Sequence, residues 1–238
     1  MIGILGGMGT QAGLDFCNKL AKLIKGKTDQ QYPLFVLYNK SNIPGRPENL
    51  LKYNKVLKSL LEGCKFLEKN KCKFIVIPCN TAHYWFDDLQ KKTKIPIISM
   101  PKEVYSYAVK KCKTKSKIGL LATEGTLKTG VYNKFFDKSF KLINPNKFLQ
   151  KNSVNKAIKY VKMGKIKEAE IAIKAAINYL VKAKCKKIIL GCTELPIAIF
   201  AFKSFKKIKL SKTFLDPNLI LAETSMKNYK NLKNLNNY

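Results

Sequence analysis

Two passages of this 238-residue chain occur twice. Ile2-Gly3-Ile4-Leu5-Gly6-Gly7-Met8-Gly9-Thr10 reappears 116 positions on as Ile118-Gly119-Leu120-Leu121-Ala122-Thr123-Glu124-Gly125-Thr126. Lys71-Cys72-Lys73-Phe74-Ile75-Val76-Ile77-Pro78-Cys79 reappears 113 positions on as Lys184-Cys185-Lys186-Lys187-Ile188-Ile189-Leu190-Gly191-Cys192. Any two buried strands share apolar runs. Matching Gly-Thr and Cys endings at nearly equal offsets are what a duplicated half produces. The repeat divides the chain into a first half, 1–98, and a second, 99–208. The closing segment 209–238 is assigned to the first domain.

Ile2–Leu5, Leu34–Tyr38, Phe74–Ile77, Ile95–Ile98, Ile118–Leu121 and Lys187–Leu190 read as strands, and their near-continuous hydrophobicity predicts burial on both faces. Between them lie helical patterns. One apolar stripe runs through Leu50, Leu51, Val56, Leu57, Leu60, Leu61, Cys64 and Leu67, and another lies in the helix expected over Glu168 to Lys182. Alternating strands and helices predict an α/β fold with mostly parallel sheets. The Asn- and Lys-rich stretch from Asn228 onward is expected to fray.

The net charge of +31 raises the question of a phosphate-rich partner. The lysines are spread from Lys19 to Lys233, with only short clusters such as Lys206–Lys207, and at Lys52, Lys55 and Lys58 they interleave with apolar residues as solvated helix faces do. Of the 46 basic residues only Arg46 is arginine, whereas base reading in nucleic-acid sites relies on Arg. A nucleic-acid-binding protein is therefore the alternative of another class, and no nucleic-acid partner is expected. The field would still draw in anionic small molecules. The seven cysteines form no C-x-x-C pair and there is one histidine, so no metal site is expected. The longest apolar run, Pro196–Phe202, is too short to cross a bilayer. Chain and thiols fit a reducing cytoplasm.

Cys79 and Cys192 both fall at the carboxyl end of a strand and the start of the next helical segment, the edge where open α/β sheets bind ligands. A helix N-terminus there would hold a carboxylate and lower a thiol pKa. Two equivalent thiols suit inversion of a carbon centre: a thiolate removes the α-proton from one face and a thiol returns a proton to the other. A lone free cysteine is more often a small buried hydrophobe, but the repeated placement favours chemistry. Cys72 and Cys185, at the opposite ends of the same strands and roughly 20 Å away at ~3.3 Å per residue, read as structural.

Gly6-Gly7-Met8-Gly9, Pro78-Cys79-Asn80-Thr81-Ala82-His83, Ala122-Thr123-Glu124-Gly125-Thr126 and Gly191-Cys192-Thr193-Glu194-Leu195-Pro196 resemble the signatures of the aspartate/glutamate racemase family, in the family's order and over most of the chain. The resemblance implies two similar parallel-sheet α/β domains related by pseudo-two-fold symmetry with the active site in the cleft between them. It also implies Cys79 and Cys192 as catalytic groups, no pyridoxal phosphate or other cofactor, an amino-acid substrate and a homodimer. Thr10 and Gly13 depart from the family's usual Pro and Thr. Glutamate racemases usually carry His where this chain has Glu194, which favours the aspartate side of the family.

Asn80, Thr81 and Thr193 are candidates to hold an α-carboxylate, or to cap the following helices. Arg46, in the loop Asn42-Ile43-Pro44-Gly45-Arg46-Pro47, could hold a second carboxylate bidentately, and the resemblance places the family's distal-carboxylate binder here. Lys162 resembles a second such residue, with Lys165 as its rival. Met8, Gly9, Thr10, Gly125 and Thr126 are expected to line the pocket through backbone N–H groups, turn formation being the other explanation of the glycines. Glu194 could orient Cys192 or satisfy helix N–H groups. His83 sits near Cys79 but is read as packing or capping, since a one-sided Cys–His pair would leave Cys192 unexplained. The expected activity is racemisation of aspartate. A broad-specificity amino-acid racemase is the near alternative, and a related single-thiol lyase or isomerase the further one.

Overall fold

The computed structural model describes residues 1–24, 26–46, 48–200 and 213–235, the side chains of 233–235 excepted. Lys206–Lys207, the 208/209 boundary and the end of the apolar run at Phe202 lie outside the described residues. The chain forms two compact units, Met1–Glu103 with Asn218–Tyr238, and Val104–Pro217.

The first unit holds a parallel sheet of β1 (Ile2–Gly6), β2 (Phe35–Asn39), β3 (Phe74–Val76) and β4 (Ile97–Ile98) in the order β2-β1-β3-β4. The second holds β5 (Lys117–Ala122), β6 (Lys141–Ile143), β7 (Lys187–Gly191) and β8 (Phe214–Leu215) in the order β6-β5-β7-β8, again all parallel. β6 and β8 were not expected from the sequence: three and two residues long, they carry too little pattern to read.

The repeat is a repeat of register. Ile2 pairs with Phe74 and Gly3 with Ile75 in the first sheet; Ile118 pairs with Lys187 and Gly119 with Ile188 in the second. Those are the partners that the two offsets demand. The close packing repeats as well. A Cβ on Gly3 would lie 3.2 Å from the Leu67 Cβ, and one on Gly119 would lie 2.8 Å from Leu180 Cδ1, Leu67 and Leu180 being equivalent positions. Lys71 and Lys184, also equivalent, both have positive φ, 59° and 61°, in the turn from helix to strand.

Strand side chains alternate faces, and the first unit's core shows it. Ile2, Ile4, Phe74 and Val76 point to one side, packed with Phe16 and Leu20 of α1 (Thr10–Lys22) and with Leu221 and Met226. Leu5, Ile75 and Ile77 point to the other, packed with Val56, Leu60 and Leu67 of α2 (Tyr53–Lys69) and Leu89 of α3 (Phe86–Lys92). The second unit packs Leu121, Ile188 and Leu190 against Ile173, Ile177 and Leu180 of the helix Ile166–Lys182.

Three expectations change. The central strands are buried on both faces, but β2 is half exposed because it is an edge strand; Phe35 is 40% exposed. The tail does not fray at Asn228. A helix runs over Pro217–Leu235, and Tyr229 and Leu232 continue the face set by Leu221 and Met226 at helical spacing, so packing overrides an Asn- and Lys-rich composition. The boundaries fall at 103/104 and 217/218 rather than 98/99 and 208/209. Met100 packs into the first unit's core, and β8 pairs with β7, which keeps Phe214–Leu215 in the second unit. No helix among the described residues is long and apolar enough to cross a membrane.

Candidate active site

In each unit the chain leaves the first strand toward one side of the sheet and returns to place a later strand on the other: β2 and β3 flank β1, and β6 and β7 flank β5. That reversal makes the carboxyl ends of the central pair the topological switch point, the usual ligand position in such sheets. The sequence candidates lie there. Met8, Gly9 and Thr10 follow β1 and Cys79, Asn80 and Thr81 follow β3, while Gly125 and Thr126 follow β5 and Cys192, Thr193 and Glu194 follow β7.

In the first unit, Gly7 turns the chain sharply after β1. Its φ is +90°, and a Cβ there would sit 2.3 Å from the backbone carbon of Lys40, so only glycine fits. Thr10 opens α1, and its hydroxyl accepts from Asn39 Nδ2 at 3.2 Å. Arg46 is tied to this turn. Its Nη2 donates to the Met8 carbonyl at 2.8 Å, and its Nη1 donates to the carbonyls of Pro44 and Ile43 at 3.1 and 3.3 Å. Half of the guanidinium therefore braces its own loop. The buried Nε–H has no partner among the described residues.

Cys79 is buried, and its N–H donates to the Ile77 carbonyl at 2.7 Å, which marks a tight turn out of β3. The segment that follows is a 3₁₀ turn, Thr81–Trp85, before α3 begins. Asn80 makes no side-chain cap hydrogen bond, so capping does not explain it. His83 is buried and its pKa is lowered to about 4, chiefly by desolvation.

In the second unit, Thr123 caps α5 (Glu124–Thr129): its hydroxyl accepts the Thr126 N–H at 3.1 Å and lies 3.0 Å from the Thr126 hydroxyl. Thr126 was expected to offer that N–H to a ligand; the cap takes it instead. Gln150 Nε2 donates to the Ala122 carbonyl at 2.9 Å and buttresses the end of β5.

Cys192 is the most structured of the candidates. Its Sγ donates to Glu194 Oε2 at 2.9 Å, and the same oxygen is 3.3 Å from the Thr193 hydroxyl; all three residues are buried. Burial first, and the Glu194 carboxylate second, push the thiol well above its ordinary pKa. A thiol pKa lowered by a helix N-terminus was expected here. That fails because burial and the Glu194 carboxylate outweigh the one favourable backbone contact, from the Glu194 N–H, and the helix, Leu195–Phe200, starts only three residues later. Exposed Lys162, ending the helix Lys156–Lys162, exerts an opposing pull on the thiol. Lys165 is not among the charges acting on Cys192.

Two participants were missed in the sequence. Tyr132 is fully buried, and its pKa is raised well above the ordinary value, first by desolvation and then by electrostatic interaction with Asp216 and Cys192. It lies outside both repeated passages, so nothing singled it out. Asp216 follows β8 at the same sheet edge, and the Asp216-Pro217 pair ahead of an apolar helix was the available signal. No cluster of three or more potential metal ligands occurs among the described residues.

The comparisons with known proteins bear on the fold and the family. The chain is 25% identical over 234 residues to the broad specificity amino-acid racemase RacX of Bacillus subtilis (strain 168), covering 96% of this chain and 98% of that protein. Its fold matches the Picrophilus torridus aspartate racemase with a TM-score of 0.81 and 29% identity, over 96% of this chain and 94% of that one. An aspartate racemase homologue from Pyrococcus horikoshii OT3 matches with a TM-score of 0.77 and 24% identity, over 96% and 98% of the two chains. The family model for Asp/Glu/Hydantoin racemase matches residues 5–224, and the chain belongs to that family.

Proposed function

We propose that this protein racemises an amino acid at Cα without a cofactor, with aspartate as its substrate and Cys79 and Cys192 as the two proton-transferring groups. The observation that carries the reading is the equivalence of the two thiols: each follows the second central strand of its own sheet, at the same register. Inversion needs a base for one face of Cα and an acid for the other. One sulfur takes the proton as thiolate, the other gives one as thiol, and the roles exchange in the reverse direction. Arg46 supports an acidic substrate, because its Nε–H, without a partner among the described residues, lies in a loop tied to the β1 turn. The likeness to the P. torridus aspartate racemase points the same way.

A second reading, racemisation of several amino acids, is favoured by the full-length likeness to the broad-specificity enzyme of B. subtilis and by the donors that Arg46 spends on backbone carbonyls. The test is incubation in D₂O with single L-amino acids, following deuterium at Cα by mass spectrometry and D-isomers by chiral chromatography. Aspartate should exchange and invert fastest. Turnover of neutral amino acids without aspartate would select the second reading, and absence of Cα exchange with every amino acid would reject both.

A further inference from the structure

The Cys192–Glu194 contact sets a chemical problem. A proton donor should lose its proton readily, yet this thiol lies 2.9 Å from a carboxylate oxygen, and the pair is buried. Donation breaks the S–H bond, leaves the electron pair on sulfur and forms the new Cα–H bond. The resulting thiolate faces an anion across a hydrogen-bond distance, and burial limits the water available to screen the two. We propose that Glu194 is a positioning residue that keeps the proton on Cys192 sulfur, so that the resting enzyme presents Cys192 as thiol.

This rests on the two-thiol reading and assigns the pair a resting asymmetry that the symmetry of the repeat conceals. The equivalent of Glu194 in the first half is Thr81, 113 positions earlier, which carries no charge. After a turnover in which Cys192 has donated, one proton must leave the other thiol and one must return to Cys192. Repulsion from Glu194 drives that return, with solvent carrying the proton. The racemisation equilibrium constant is unity by symmetry, so kcat/KM must be equal in the two directions; the asymmetry therefore falls on kcat and KM separately. The charged and titratable groups acting around the sulfur are consistent with this state. Glu194 disfavours the thiolate, the buried Tyr132 stays un-ionised and adds no charge, Asp216 adds negative charge at Tyr132, and Lys162 opposes Glu194 from an exposed position.

The test is site-resolved alkylation of the full-length protein with iodoacetamide across a pH series, reading the peptide that contains Cys192 by mass spectrometry. In the wild-type protein the labelling midpoint should lie above that of a cysteine in a short peptide, about 8.5. Glu194→Gln should lower it by at least about one pH unit, roughly a tenfold gain in thiolate at neutral pH, with the high-pH plateau rate unchanged. An unchanged or higher midpoint in E194Q overturns the proposal, as does a lower midpoint accompanied by a raised plateau, which marks an opened site. If E194Q does not fold, a wild-type midpoint at or below the peptide value overturns it alone. Racemisation by Cys192→Ala is measured separately. Activity retained there would reject the two-thiol reading whatever the labelling shows, so the two failures are distinguishable.

Discussion

The ring of His83 is bound to the backbone of Cys79: Nδ1–H donates to the Cys79 carbonyl at 2.9 Å, while Nε2 accepts the N–H of Met100 at 3.0 Å. The second bond fixes the tautomer, because an Nε2 that accepts leaves the proton on Nδ1. Both ring nitrogens are thereby occupied, and neither is left to act as a base toward a thiol. His83 holds the turn that carries Cys79 and joins it to the start of α4 (Met100–Lys111).

Stability should consequently fall in acid through this residue. Its folded pKa of about 4 lies below the ordinary 6.5, so the unfolded chain binds the proton more readily. The contribution is complete above pH 6.5 and is lost progressively as pH falls from 6.5 to about 4. Urea unfolding should show a loss of about 2 kcal/mol between pH 7.5 and 5 from this group, by the linkage relation. A His83→Gln variant should be less stable at neutral pH and lack that component of the slope. An identical slope in the variant would refute the assignment.

Gly7→Ala should destabilise the first unit by about 2 kcal/mol or more, the range for a non-glycine residue forced into a sparsely populated backbone region together with a steric clash. The added methyl would overlap the Lys40 backbone, which cannot swing aside as a side-chain tip could. Equilibrium unfolding measures it. Gly164→Ala is the control: its φ is +73° but open space surrounds it, so only the backbone strain should appear.

Replacing Arg46 by Lys should raise KM for aspartate about tenfold or more, since an ammonium can neither reproduce the planar donor fork nor tie Met8, Pro44 and Ile43 together. Steady-state kinetics with aspartate and with a neutral amino acid separate the two roles. A KM change confined to aspartate reports carboxylate binding; an equal change for both reports the loop.

Lys162 and Lys165 should differ. Lys162 acts on the Cys192 thiol and Lys165 does not. Lys162→Met should lower kcat/KM several-fold and move the Cys192 labelling midpoint further upward, whereas Lys165→Met should leave both near wild type. Equal effects of the two substitutions on the midpoint would contradict this.

Cys79→Ala and Cys192→Ala should each reduce racemisation by at least about 10²-fold, the lower end of what a general acid or base contributes. The Ser variants should retain a trace, because a hydroxyl is a poorer base. Chiral chromatography reads the result, and a near-wild-type rate in either Ala variant sinks the two-thiol mechanism.

The chain's sequence by itself determined the central strand pairs, the turns that follow them and the positions of Cys79 and Cys192 at those turns. These features are local and periodic, and each appears twice, so a pattern a few residues long suffices to place them. Tertiary structure alone decided what the patterns leave open. Two- and three-residue strands, β6 and β8, exist because neighbouring strands pair with them. The tail is a helix because Ile2, Ile4 and Phe16 offer its apolar face a partner. Glu194 was ambiguous in sequence because a first-turn acid can turn either way; packing turned its carboxylate to the Cys192 sulfur. Tyr132 and Asp216 reach the surroundings of that sulfur from distant parts of the second unit, since electrostatics acts through space and sequence separation carries no record of it.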